Sequence, residues 1–257
     1  PFFGDVEIEG APVAVEVTNF EFVEIDGNGD AAHNPGESFG FRFIAQNISE
    51  EEDINDVVAV VSSSSEWIQV GENAIDFGDI AAGEEIVFEQ GVFFALAANC
   101  PDGIQFPEQR PLLLVEFSSG ELTWESSKEL DPVAPAFVFS EIVGLDQIPF
   151  NIEELDISIE NVGRMEAGAL RAELRSSERS IWIVRGESNF PNIEVGDQAN
   201  LEDEPFIINV NPQTIPGIRN NMMLVVTSEN GFSQRIPIPV QIEGGEGNFP
   251  QAPDDYG

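Results

Sequence analysis

The chain has 257 residues, 42% of them hydrophobic, with 48 acidic against 10 basic side chains and a formal net charge of −38. A core can form without covalent staples, and the field repels the phosphates of nucleic acid and of anionic membranes. Cys100 is the single cysteine, which excludes an intrachain disulfide. No apolar run approaches the ~18 residues of a membrane span, so membrane insertion is not expected. Such a field attracts divalent cations, and high salt screens its self-repulsion, as suits a protein of saline water.

The sequence opens Pro-Phe-Phe without an initiator Met and reads as a fragment or a processed product. Residues 1–10 form a Gly-punctuated lead-in with no assigned structure. Residues 13–23 alternate apolar and polar, the pattern of a half-buried strand.

Residues 26–37 follow, Asp-Gly-Asn-Gly-Asp-Ala-Ala-His-Asn-Pro-Gly-Glu. Side-chain oxygens fall at Asp26, Asn28, Asp30, Asn34 and Glu37, positions 1, 3, 5, 9 and 12 of the segment, with the carbonyl of Ala32 at position 7. That is the ligand spacing of a twelve-residue calcium loop: a hard dication takes six to eight oxygens, and alternate residues of a curled loop point inward. Two positions depart from the pattern. Ala31 stands where the sharp turn usually requires Gly, and His33 where an apolar residue usually sits. No helix-forming run precedes the loop, so the expected Ca2+ site lies between strands. The plainer alternative is a polar turn in an acidic chain.

Beyond the loop, Phe39, Phe41 and Phe43 share one strand face at period two. Short strands are expected at 57–61, 67–70, 75–80 and 85–97, then a hairpin of 111–118 and 121–127 across Ser119 and Gly120. Strands of this length at 8–12-residue spacing indicate an all-β antiparallel sandwich.

The second half repeats the first at a near-constant spacing of about 113 residues. FRFIAQN (41–47) matches LDISIEN (155–161), and SSSSEWIQV (62–70) matches SSERSIWIV (176–184). FGDIAAGEE (77–85) matches FPNIEVGDQ (190–198), and LVEFSSGEL (114–122) matches VVTSENGFS (225–233). The expected fold is two tandem sandwiches: 1–133 with the calcium loop, 134–244 without it, and 245–257 as linker or tail. Residues 164–175 look helical by propensity but align with NDVVAVV, and the repeat predicts a strand. There Ala172 and Leu174 take the inward places of Val58 and Val60. Prolines near Asp131–Ala136 mark a semi-rigid joint.

The run Asp26–Glu37 with its Asn-Pro-Gly-Glu ending, the alternating strand closing at Asn47 and the FGDI-x-x-G at 77–83 resemble the immunoglobulin-like modules of large secreted bacterial proteins. Some such modules follow gingipain-type (C25) cysteine peptidase domains. PDDYG at 253–257 resembles the start of a further module. The resemblance implies tandem immunoglobulin-like sandwiches, an extracellular or cell-surface setting, and other modules of the same polypeptide or assembly as partners. The second half departs from it, since EIVGLDQIPF (141–150) lacks the alternating ligands.

Catalysis finds little support. Cys100 and the single histidine, His33, lie far apart in sequence, and no carboxylate pair is singled out. The acidic run 49–56 reads as a solvated loop. Trp67 and Trp182, flanked by isoleucines at matching positions, read as core packing rather than sugar-stacking platforms, and Trp124 is the better surface candidate. The expected function is therefore a non-catalytic, calcium-stabilised structural or adhesive module. The alternatives are a filament or sheath subunit (a homo-oligomer joined through edge strands) and an accessory domain of a secreted peptidase.

Overall fold

Period-two patterning dominates both halves of the chain, and in the computed structural model it folds almost wholly into antiparallel strands. The structure describes residues 14–71, 74–215 and 217–243. The lead-in at 1–10 and the tail at 245–257 lie outside the described residues. The chain divides into two compact units, Pro1–Val133 and Ala134–Gly257.

In unit 1 the strands are β1 (Val15–Asp26), β2 (Ser38–Asn47), β3 (Ile54–Ser62), β4 (Ile68–Val70), β5 (Ala74–Ile80), β6 (Glu85–Leu96), β7 (Leu112–Ser119) and β8 (Leu122–Glu129). They form two four-stranded sheets, ordered β1-β2-β6-β4 and β5-β3-β7-β8. Phe39, Phe41 and Phe43 of β2 are buried side by side, as their spacing predicts. Phe43 bridges the layers, its ring 6.2 Å from Phe117 on β7 and 5.4 Å from Phe88 on β6. Each buried phenylalanine stabilises the unit by about 1.5–3 kcal/mol, which makes this aromatic stack its main cohesive element.

Unit 2 holds β9 (Phe137–Ile142), β10 (Ile152–Leu155), β11 (Ile157–Asn161), β12 (Leu170–Ser176), β13 (Ile181–Arg185), β14 (Glu187–Phe190), β15 (Gln198–Ala199), β16 (Phe206–Val210), β17 (Arg219–Ser228) and β18 (Ser233–Gln241). The sheet β14-β12-β17-β18 has the same order as β5-β3-β7-β8. The facing layer is split into β15-β11-β9 and β10-β16-β13. The break falls at Asp156, whose carbonyl accepts from Val143 N at 2.8 Å and whose carboxylate accepts from Leu201 N at 3.3 Å. Both units are thus immunoglobulin-like antiparallel β-sandwiches.

A buried asparagine explains why two of the repeated motifs travel together. Asn47 and Asn161 end the matched strands and are both 0% exposed. Asn47 Nδ2 donates to the Ile80 carbonyl at 3.1 Å, and Asn161 Nδ2 to the Ile193 carbonyl at 3.1 Å. Those isoleucines belong to the matched FGDI and FPNI motifs. Gly83 N and Gly196 N in turn donate to the two asparagine carbonyls at 3.1 and 2.8 Å. Each amide therefore fastens one strand end to the neighbouring loop and leaves no buried polar group unpaired.

The segment 164–175 is extended from Leu170 onward, so packing overrides its helical propensity. Ala172 and Leu174 face the core, but in β3 the inward positions are Val57, Ala59 and Val61 rather than the expected Val58 and Val60. Trp67 packs as expected, while Trp182 and Trp124 depart from expectation. Trp67 and Trp124 pack partly buried against the core of unit 1, whereas Trp182 is 52% exposed. Ile181, not Trp182, points inward from β13.

Candidate metal centre

Loop 27–37 joins β1 to β2, and its conformation follows from where its backbone amides point. Asp30 Oδ1 accepts from Ala32 N at 2.8 Å, and Asn28 Oδ1 accepts from Asp30 N at 2.8 Å, two consecutive Asx-type turns. Ala31, at the position where Gly is usual, has φ 60, so the chain makes the left-handed turn without glycine. Glu24 reaches over from β1 and receives Gly29 N and Ala31 N, the latter at 3.1 Å. Glu37 receives Asn28 N at 3.0 Å and Asn34 N at 3.3 Å.

The carboxylates of Glu24, Asp30 and Glu37 consequently converge, with oxygens within 4.8 Å of one another. Among the described residues they are the one such group, and no lysine or arginine pairs with them. Asn34, 2% exposed, sits among them, its Nδ2 3.1 Å from Asp30 Oδ2 and 3.3 Å from Glu37 Oε1. The amides of Ala32, Asn34 and Asn28 donate to Asp30 and hold its carboxyl below the usual range. Gly27 permits the approach: a Cβ there would lie 2.4 Å from Glu24 Oε1 and 2.6 Å from Glu37 Cδ.

Of the six residues expected from the spacing, Asp30, Asn34 and Glu37 are brought together, and Asn28 joins them by donating Nδ2 to Asp30 Oδ2 at 3.0 Å. Ala32 contributes its amide to the loop. Asp26 stands outside the carboxylate group; it closes β1 opposite Ser38 after a register shift between Glu24 and Asp26. Glu24 takes part instead. The twelve-residue frame begins two positions too late to include it, although strand alternation places Glu24 on the same side as Phe20 and Phe22.

His33 serves as the loop's apolar anchor. Its ring packs 4.9 Å from Phe22 and 5.0 Å from Phe39, and its carbonyl accepts from Val133 N at 3.0 Å. Burial lowers its pKa, against the opposing influence of Asp131. Cys100 is fully buried, and burial pushes its thiol up to about 12, so it holds its proton at neutral pH. The Cys100 thiol is therefore not poised as a nucleophile.

No protein-family model matches this sequence, and no curated relative matches it. Among solved structures, the chain is similar to a chimeric titin Z1Z2–Z1Z2 tandem (10% identity, 90% of this chain and 98% of that one, TM-score 0.30). It is also similar to extracellular domains 3–5 of Drosophila OTK (9% identity, 91% and 66%, TM-score 0.28) and to the D0-D1 domain of intimin (6% identity, 90% and 100%, TM-score 0.25). These scores add nothing to what the strand order already shows. No helix among the described residues is long and apolar enough to cross a membrane.

Proposed function

We propose that this chain is a non-catalytic structural or adhesive module of a secreted or cell-surface protein, with Ca2+ stabilising the β1–β2 end of unit 1. The observation that carries the reading is the convergence of Glu24, Asp30 and Glu37 without a basic partner. An all-oxygen donor set suits a hard cation rather than zinc or copper, which favour imidazole and thiolate. Asn34 fits the same role, because a half-turn of its amide presents Oδ1 where Nδ2 now stands. The cation would relieve the mutual repulsion of three carboxylates and tie β1 to β2.

Extracellular calcium modules bind with Kd of about 10⁻⁴–10⁻³ M. With calcium at about ten times Kd, the folded state gains about 1.4 kcal/mol, useful to a unit that already has its own aromatic core. Other modules of the same polypeptide or assembly are the natural partners. Scanning calorimetry in millimolar calcium is expected to raise one melting transition and EGTA to reverse it. A trace that neither addition moves would defeat the calcium reading.

A further inference from the structure

The sheet β14-β12-β17-β18 turns Ala172, Leu174, Leu224 and Ile236 into the core of unit 2. Strand alternation sends their neighbours to the opposite face. Register lays Glu187, Glu173, Val225 and Arg235 in one row across that face, with Arg171 and Arg175 on β12 to either side of Glu173. Arg219 shares the face at the start of β17, in alternation with Met223 and Val225. In a chain of net charge −38 this face is the exception, with Arg171, Arg175, Arg219 and Arg235 set against only Glu173 and Glu187.

The arginines remain open to new partners. Arg171 meets Glu187 at 3.0 Å and Arg175 meets Glu173 at 2.7 Å, in ion pairs whose side chains are all well exposed and hold each other only weakly. Arg219 and Arg235 pair with no carboxylate among the described residues. Met223 and Val225 lie half-buried between the arginines and give the face an apolar floor.

The sheet of the same order in unit 1, β5-β3-β7-β8, presents the opposite charge. Val60, Glu116 and Glu125 form a row across its outward face, and Asp76 pairs with Val58 beside them. Val58, Val60 and Leu114 make a half-buried apolar floor here too. Lys128, the one base on these four strands, is in register with buried Leu113 and so points to the other face. Asp76, Glu116 and Glu125 have no basic partner among the described residues.

We propose that the arginine face of unit 2 docks on the acidic face of unit 1 in a second copy of this chain. Each face has an apolar strip flanked by charges, and the charges are of opposite sign, so the two are complementary where the rest of the chain is uniformly acidic. Four strands about 4.8 Å apart make a patch roughly 20 Å wide, near the lower limit of specific interfaces, so the contact is weak and sensitive to salt. At physiological ionic strength the Debye length is about 8 Å, which screens the remaining negative charge of the two copies but not the groups that touch. A polyanion would meet the same acidic surroundings without an apolar floor of its own. The contact joins sheet faces and uses no strand edge. It does not rest on the calcium reading, because none of its residues belongs to the β1–β2 loop.

Sedimentation equilibrium of the full chain is expected to show mass rising with concentration in about 0.15 M NaCl, equally with calcium and with EGTA, and a monomer in about 1 M NaCl. Pairing of strand edges through backbone hydrogen bonds would survive the higher salt. Arg219→Glu with Arg235→Glu, and separately Glu116→Arg with Glu125→Arg, are each expected to weaken self-association about tenfold or more. Mixing the two double variants is expected to recover association, since each keeps the face that the other has lost, and a misfolded variant could not give that recovery. A monomer at every concentration in the lower salt, association that persists in the higher salt or disappears in EGTA, a mixture that stays monomeric, or an arginine face that takes up polygalacturonate instead of a second copy would each overturn the proposal.

Discussion

Three residues at the β1–β2 end of unit 1 carry testable consequences. Glu24, outside the twelve-residue frame, lies in the carboxylate group, while Asp26, the frame's first position, pairs with Ser38 at the strand end. Glu24→Gln is accordingly expected to weaken calcium binding about tenfold or more, and Asp26→Asn to weaken it far less, by isothermal titration. His33 sets a pH dependence. Its folded pKa lies below the ordinary 6.5 because of burial. The unfolded chain therefore takes up the proton first as pH falls, so the stabilisation is complete above about pH 6.5 and is lost as pH drops through the folded value. Urea melts at fixed salt should show unit 1 losing stability from pH 7 to pH 5, and His33→Phe should flatten that loss. An unchanged slope in the variant would show that His33 is not the titrating group.

At the level of the strand, the edges decide whether these sandwiches can join into filaments. β18 closes one sheet of unit 2, and its exposed positions include Pro237 and Pro239, paired opposite Met223 and Asn221. Prolines on an edge strand remove donors that another chain would use, a common defence against edge-to-edge association. Pro237→Thr with Pro239→Thr should increase self-association, seen as a concentration-dependent rise in mass by light scattering. A double variant as monodisperse as the parent would show that another feature protects this edge. In unit 1, Val17 N donates to Ser126 Oγ at 3.2 Å, so β1 lies against the β8 edge and covers part of it.

For the whole molecule, the division at Val133 and Ala134 and the presence of two separate cores imply two cooperative units. Calorimetry should resolve two transitions that respond differently to solutes. Raising monovalent salt relieves the self-repulsion of a chain with net charge −38 and should raise both, since screening is not specific to a site. Calcium should raise one transition beyond the effect of matched ionic strength. Equal shifts in both would mean that calcium acts only as screening charge.

Much of this was legible in the residues themselves. Period-two alternation marked the strands, because one sheet face packs and the other meets water. The duplicated Asn and Phe-x-x-Ile motifs marked two copies of one fold, because Asn47 and Asn161 fasten the same two segments in each. The alternating oxygens of the β1–β2 loop marked the candidate cation site. What the residues alone did not decide was which way particular side chains face. A register shift in β1 separates Glu24 from Asp26, and β13 turns Ile181 inward and Trp182 outward although Trp67 packs against its own core. Facing and convergence depend on strand register and on which chain segments meet, and both are fixed by packing across the whole sandwich rather than by local sequence.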